Sequence, residues 1–387
     1  MKFLGYRRPD GKVGIRNHVL ILPTCACSSE TCRLVANQVK GAVSIINQNG
    51  CAQVKDDLAI TMNVLSGLAA NPNVYGTVLI GLGCENAQPD DMVKLIESKT
   101  NKPLKKLVIQ EEGGTVETIR KAVVYAQEMV QEATKLKREE VDISELILGT
   151  NCGGSDPTSG IASNPAVGNL SDRLVDLGAT SILCETTEFI GAEHILAKQA
   201  ATPEIGEEIY EIIENYENHL RNVGENLRNG NPSPGNKAGG ITTLEEKALG
   251  AIHKGGTRPI VEVFGYAEEP KKKGLVIMDT PGYDIASVTG VAAGGAQVMV
   301  FTTGRGTPTG NPIMPVIKIT ANKQTYEKMK DNIDVDVSSI ISGEKTIEEM
   351  GEILLKEVLD VANGKLVKSE VLGINNDIAI SRLCNYV

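Results

Sequence analysis

The chain has 387 residues, and at roughly 150 residues per domain that length predicts two domains. A net charge of −10 gives the surface no attraction for nucleic acid or anionic lipid. With nine Tyr, four Phe and no Trp the core must be aliphatic, which argues against base-stacking platforms and aromatic sugar-binding surfaces.

The first half alternates short apolar runs with helical stretches. Val19–Leu22 reads as a strand, followed by Pro23-Thr24-Cys25-Ala26-Cys27 and a helix to about Lys40. Ala42–Ile46 is a second strand, leading to Asn49-Gly50-Cys51, then a helix through Leu58, Met62 and Leu65. Gly76–Ile80 is a third, ending at Gly81-Leu82-Gly83-Cys84-Glu85; Leu107–Ile109 follows, and a helix opens at Thr115 and runs to about Lys137. The charged run Lys135–Glu140 marks a boundary, which divides the chain into 1–140 and 141–387. The pattern then restarts, with strands Leu146–Leu148, Ala179–Leu183, Gly274–Met278 and Ala296–Phe301. An amphipathic helix is predicted over residues 204–227, stopped by Pro232 and Pro234. Thr243/Glu246 and Thr346/Glu349 fit capping boxes, and Gly364 closes the last long helix. Unbroken apolar strands joined by helices predict parallel sheets covered on both faces. The expected fold is therefore α/β, with two Rossmann-like domains, the C-terminal one larger.

No apolar run reaches the about 18 residues of a membrane span. The start, Met1–Arg8, turns charged before a signal-peptide core can form. A cytoplasmic location is expected, with the eight cysteines reduced and available as ligands or nucleophiles. Cys27, Cys51 and Cys84 each follow a strand of the first domain, and in a parallel sheet those ends share one edge. Three thiolates there can hold an iron–sulfur cluster and leave one iron open to substrate. Cys152 and Cys184 stand at the corresponding edge of the second domain, and Cys152 is a fourth ligand candidate. One cysteine at a strand end is ordinarily a small hydrophobe; five of them favour metal. Cys32 and Cys384 read as structural.

Two loops are equipped for an anion. Thr302–Gly310 combines hydroxyls and glycines with Arg305, and Asn231–Gly240 places Asn236 and Lys237 near a helix start. Cys184-Glu185-Thr186-Thr187-Glu188 sets two carboxylates at a strand end, where they can serve as a general base or as hard metal ligands, or simply favour a helix N-terminus.

These residues, in this order, resemble the UxaA-type altronate/galactarate dehydratase family. Gly5–Asn17, Gly81–Glu85, Cys152-Gly153-Gly154-Ser155-Asp156, Asn231–Lys237, Met278–Tyr283 and Phe301–Gly306 carry the match over almost the whole chain, without the family's N-terminal small β (SAF-like) domain. The resemblance implies a dehydratase of sugar acids that needs iron, a dimerising domain ahead of a Rossmann-like C-terminal domain, and a separate small subunit supplying the missing domain. Sulfolactate sulfo-lyase is a relative built in that split way. Where the family usually has a histidine before the Gly50-Cys51 pair, this chain has Asn47-Gln48-Asn49, and Cys184 is commonly serine.

The expected function is the large catalytic subunit of an iron-dependent hydro-lyase acting on altronate or galactarate, as a homodimer. Cys27, Cys51, Cys84 and Cys152 are expected on the metal, Glu185 and Glu188 as base, and Arg305, Lys237, Asn236, Ser155 and Asp156 on substrate. Mononuclear ferrous iron on carboxylates is the alternative to a cluster. A sulfolactate sulfo-lyase subunit, or a non-catalytic sugar-acid-binding subunit, is the alternative function.

Overall fold

The computed structural model describes residues 1–374 and 378–383; Cys384 lies outside them. Two parallel sheets account for most of the strands. The first has four strands in the order Ala42–Ser44, His18–Pro23, Val74–Gly81, Leu104–Val108. The second has seven, in the order Ile260–Phe264, Leu275–Met278, Thr180–Leu183, Ile147–Cys152, Val298–Thr302, Val316–Thr320, Val335–Asp336. Every pairing in both is parallel. The α/β class and the larger C-terminal sheet are as the apolar runs predict.

A third, antiparallel sheet of Val13–Gly14, Lys2–Arg7 and Glu139–Asp142 was not visible in the sequence pattern. Its last strand straddles residue 140 and ties the chain's start to the entrance of the second sheet. The amphipathic helix also differs from expectation. It runs Pro203–Asn222 and ends well before Pro232. Gly224 (φ 78°) supplies the left-handed residue, and Glu225 N–H returns to the Leu220 carbonyl at 2.9 Å, so glycine rather than proline stops it. The Thr346/Glu349 capping box is complete. At Thr243 only half of one forms, because Glu246 turns its carboxylate to Thr242 instead.

The two parallel sheets share a core. Leu20, Leu22 and Leu79 of the first and Leu68 of its helix Lys55–Ala70 pack in one buried cluster with Met278 and Phe301 of the second and Val291 of its helix Asp284–Ala293. Gly67 permits the contact: a Cβ there would strike the Ala293 carbonyl, so helix Lys55–Ala70 lies directly on helix Asp284–Ala293. No helix among the described residues is long and apolar enough to cross a membrane.

Candidate functional site

Four adjacent strands of the large sheet end along one edge, and their loops carry Asp279–Gly282, Cys184–Glu188, Cys152–Asp156 and Thr303–Gly306. Ligands of open parallel sheets bind at this edge. Glu185 leaves its strand in the left-handed region (φ 75°, ψ 68°), a conformation that strains a side chain bearing a Cβ. Its N–H donates to Thr280 Oγ1 at 2.7 Å, which fixes the turn. The turn points Glu185 inward beside Cys152, whose own N–H donates to Glu185 Oε2 at 2.8 Å.

The result is an ionic cluster buried at Lys254, Cys152, Glu185 and Glu188, with Lys247 at its rim. Lys254 Nζ lies 2.7 Å from Cys152 Sγ, 2.9 Å from Glu185 Oε2 and 3.5 Å from Glu188 Oε2. Cys152 Sγ donates to Glu188 Oε2 at 2.7 Å, and Lys247 Nζ pairs with Glu188 Oε1 at 2.7 Å. Burial and the neighbouring Glu188 raise the proton affinity of Glu185, while Lys247 and Lys254 outweigh the burial of Glu188 and keep it ionised. Burial and Glu188 push the Cys152 thiol well up, so it stays protonated. Glu185 Oε1 is buried and has no hydrogen-bond partner. Asp284 borders the cluster; burial and Glu188 push it up to about 6.

Cys152, Glu185 and Glu188 bring three ligand atoms within 4.8 Å of one another, a possible seat for one metal ion. Lys254 already provides a cation among them, so a divalent ion would have to displace its ammonium. Cys27, Cys51 and Cys84 are a different arrangement. All three are exposed at one edge of the four-stranded sheet, Cys27 in the first turn of helix Ala26–Ala36 and Cys51 and Cys84 on loops. The loops are stitched together: Ala87 N–H reaches the Gly50 carbonyl (2.8 Å), Ala52 N–H reaches Asn86 Oδ1 (2.7 Å), and Thr24 Oγ1 donates to Glu85. Gly50 (φ 95°) sits so close to the Thr24 carbonyl that no Cβ fits there. Among the described residues these thiols do not form a set within 4.8 Å. They are therefore not gathered around a single ion, and the thiolates of an iron–sulfur cluster stand farther apart. The donor set, three accessible sulfurs on a helix start and two braced loops, fits iron–sulfur chemistry. Cys32 is buried, and Cys184 is spent on the core, its thiol donating to the Thr150 carbonyl at 3.0 Å.

The expected substrate residues divide into two kinds. Asn236 donates to the Ser155 carbonyl (3.0 Å) and accepts from Ser233, and Asp156 accepts from Thr158, Ser159 and Asn322, so both hold loops in place. Ser155 Oγ is buried and unpartnered. Arg305 is exposed and lines a cleft of about 410 Å³ with Asp156, Asn322 and Lys328, while its N–H fastens the loop to the Gly154 carbonyl at 3.0 Å. Lys237 is exposed on the short helix Pro234–Gly239. Lys247 and Lys254 were missed in the sequence. The signal was a lysine in the small and apolar run Ala251-Ile252-His253-Lys254-Gly255-Gly256, with Lys247 two helical turns before it.

The C-terminal domain model of the D-galactarate/altronate dehydratases matches residues 143–385. The chain belongs to that family. The model of the D-galactarate dehydratase/altronate hydrolase second domain matches residues 5–134. The chain is 40% identical to (2R)-sulfolactate sulfo-lyase subunit beta of Chromohalobacter salexigens, over 98% of this chain and 97% of that protein. It is 36% identical to galactarate dehydratase (L-threo-forming) of Escherichia coli, over 98% of this chain and 76% of the relative. To altronate dehydratase of Bacillus subtilis it is 34% identical, over 95% and 75% respectively.

Proposed function

We propose that the chain is the large catalytic subunit of a cytoplasmic two-subunit lyase that eliminates a group from the carbon next to C2 of a 2-hydroxy acid. The observation that carries this reading is the pair Glu185 and Glu188, two buried carboxylates whose proton affinities are driven apart at the ligand edge of the sheet. Glu185, the more basic, takes the proton of C2 at its unpartnered Oε1. The C–H electron pair becomes the C=C bond of an enol, and the leaving group departs with its bonding pair. That group is sulfite, or hydroxide that takes a proton and leaves as water. The enol then tautomerises to a 2-oxo acid. Lys254 and Lys247 keep Glu188 ionised and orient Glu185, while Arg305, Lys237 and Ser155 hold the carboxylate. Iron on Cys27, Cys51 and Cys84 would supply Lewis-acid polarisation of the substrate oxygens. We assign Cys152 to the ionic cluster rather than to iron, and 1–140 and 141–387 as the two domains of a subunit that forms homodimers.

Sulfite is the favoured leaving group, because the Chromohalobacter sulfo-lyase subunit matches over nearly its full length. Its name, subunit beta, also supports a separate small partner, in keeping with a SAF-like subunit. Dehydration of altronate or galactarate is the second reading, supported by the identities of 34% and 36%. The test is anaerobic co-purification with the small subunit, iron and sulfide analysis, and assay of pyruvate and sulfite from sulfolactate beside 2-oxo acid from altronate and galactarate. Iron-loaded protein that turns over none of the three with its partner present sinks the lyase reading and leaves an acid-binding subunit.

A further inference from the structure

The buried ionic cluster has an acidic neighbour that solvent reaches. Glu185, Glu188, Cys152 and Lys254 are closed off, whereas Asp284 is half-buried at the start of helix Asp284–Ala293. An acid in the first turn of a helix is ordinarily engaged with the free N–H groups there. Asp284 is not spent in that way. Tyr283 holds the cap position, and the Asp284 carboxylate bonds to its own N–H and to no other group among the described residues. It lies over the loop that carries Cys152. A Cβ on Gly153 would come within 2.2 Å of Asp284 Oδ2, so the missing side chain of that glycine makes room for the carboxylate. Cys152, one residue before, gives its N–H to Glu185 Oε2 at 2.8 Å. One short piece of backbone, Cys152-Gly153, therefore touches both carboxylates.

The charged groups around Asp284 are Glu188 and Glu185 on the neighbouring loop, Lys247 on helix Leu244–Ala251 and Lys254 on the turn Ile252–Gly255. Burial first, and then Glu188, push its carboxyl up to about 6, while the two lysines oppose them. A carboxyl group so placed both takes and gives up protons near neutrality. Glu185 is sealed in, and a base that has taken the proton of C2 has to lose it before the next turnover. We propose that Asp284 is the proton port of the cluster, the group through which Glu185 passes its proton to solvent. The proton moves from C2 to Glu185, from Glu185 to the Asp284 carboxylate, and from there to water, which returns one proton to the released sulfite or hydroxide. Both carboxylates end ionised, as they began, and no oxidant or reductant is needed. The inference rests on the lyase reading and adds a proton path to it. Asp284 acts through Glu185 rather than on the substrate carbon.

The experiment compares wild type with Asp284→Asn and Asp284→Glu, each with the small subunit and with iron measured, on sulfolactate, galactarate and altronate. Thermal melts check the fold. Asp284→Asn keeps the shape of the side chain and removes a charge that Glu188 repels, so it should melt close to wild type. Its kcat is expected to fall about a hundredfold, the low end of what a positioned proton-transfer group contributes, with KM and iron content little changed. Added imidazole, at constant pH and ionic strength, should raise the kcat of Asp284→Asn in proportion to its concentration and leave wild type unaffected. Buffer replaces a missing proton port and does not repair a structural fault. Asp284 accepts the proton only when ionised, so wild-type kcat should fall more steeply by one proton below about pH 6, and Asp284→Asn should lack that limb. Asp284→Glu, which keeps a carboxyl group, should retain the limb and part of the activity. A kcat of Asp284→Asn near that of wild type, or a loss that imidazole does not restore, overturns the proposal and leaves the lyase reading standing. Should Asp284→Asn melt well below wild type, the wild-type limb decides, and its absence overturns the proposal. Wild type that turns over none of the three acids overturns both.

Discussion

Lys254→Met gives the most direct measure of the buried cluster. The ammonium is wholly inaccessible and serves three acceptors, with Glu185 Oε2 at 2.9 Å and Cys152 Sγ at 2.7 Å. Removing one partner of a buried ion pair costs about 3–5 kcal/mol, because the other charge is left without compensation. Here Glu188 keeps Lys247 at 2.7 Å, so the exposed liability is Glu185. A carboxylate can escape by taking up a proton, and this one already holds its proton more tightly than usual. Loss of Lys254 raises that affinity further. A group whose folded pKa is raised gives stability that is complete below its unfolded pKa and is lost as pH rises through the folded value. The deficit of the variant should therefore be small near pH 5, about 1–2 kcal/mol of lost hydrogen bonds. It should grow to about 3–5 kcal/mol by pH 8.5. Urea unfolding of wild type, Lys254→Met, Glu185→Gln and the double variant across that range is the assay. The double-mutant cycle should return a coupling of about 1–3 kcal/mol. A deficit that does not change with pH, or a variant within about 0.5 kcal/mol of wild type at pH 8.5, would refute the charge argument.

Three further outcomes are expected. Arg305→Lys should raise the KM for the acid substrate roughly ten- to a hundredfold, since an ammonium cannot replace a two-pronged grip on a carboxylate; unaltered kinetics would reduce the loop to a connection. Serine at Cys27, Cys51 or Cys84 should each lower the iron and sulfide of anaerobic protein and bleach its visible absorption, whereas Cys32→Ser should not; full iron in all three variants removes the rim as its seat. Burial holds Lys318 at about 8, against its ordinary 10.5, with the Thr309 carbonyl at 2.9 Å as its acceptor. Between those values the unfolded chain binds more protons, so this lysine makes stability rise with pH. Lys318→Met should flatten that rise in thermal melts, and an identical slope in the variant would contradict it.

The strands legible in the sequence were those buried on both faces, such as Val19–Leu22 and Gly76–Ile80, because a parallel sheet under helices requires unbroken apolar runs. The strands that escaped break that rule for identifiable reasons. Val316–Thr320 carries the buried Lys318, Ile260–Phe264 carries Glu262, and Lys2–Arg7 alternates because one of its faces meets solvent. The site was legible to the same depth. Strand ends announced Cys152, Glu185 and Glu188, since position along the chain alone fixes which edge they reach. Lys247 and Lys254 lie about two helical turns apart on an unrelated segment; the small and apolar run around Lys254 marks a buried lysine, but only tertiary packing carries the pair to Glu188. Asp156 and Asn236 share a motif with substrate-type residues, yet their polar atoms are engaged in loop contacts.

The way the two sheets are joined bears on how such a site excludes water. Asn71 Nδ2 donates to the Ala292 and Ala296 carbonyls at 2.7 and 2.9 Å, and Asn73 Nδ2 to those of Gln297 and Ile313 at 2.8 and 2.9 Å. Asn73 Oδ1 meanwhile accepts from Ile15 N–H, and the buried Lys102 ammonium holds the Asn71 and Val74 carbonyls from below. With a shared apolar core behind them, these bonds make the junction between the sheets a packed interior rather than a hinge. Opening it would strip several buried backbone carbonyls of their partners at once, at about 1–3 kcal/mol each. Arg305, Lys237, Tyr283 and Arg382, all exposed, stay in contact with solvent unless something covers them. An elimination that builds negative charge on carbon needs that cover, because a dry site strengthens each stabilising interaction. A closing motion within this chain is opposed by its own junction, so under the proposed lyase reading the cover would come from a second polypeptide, the role we propose for the small subunit.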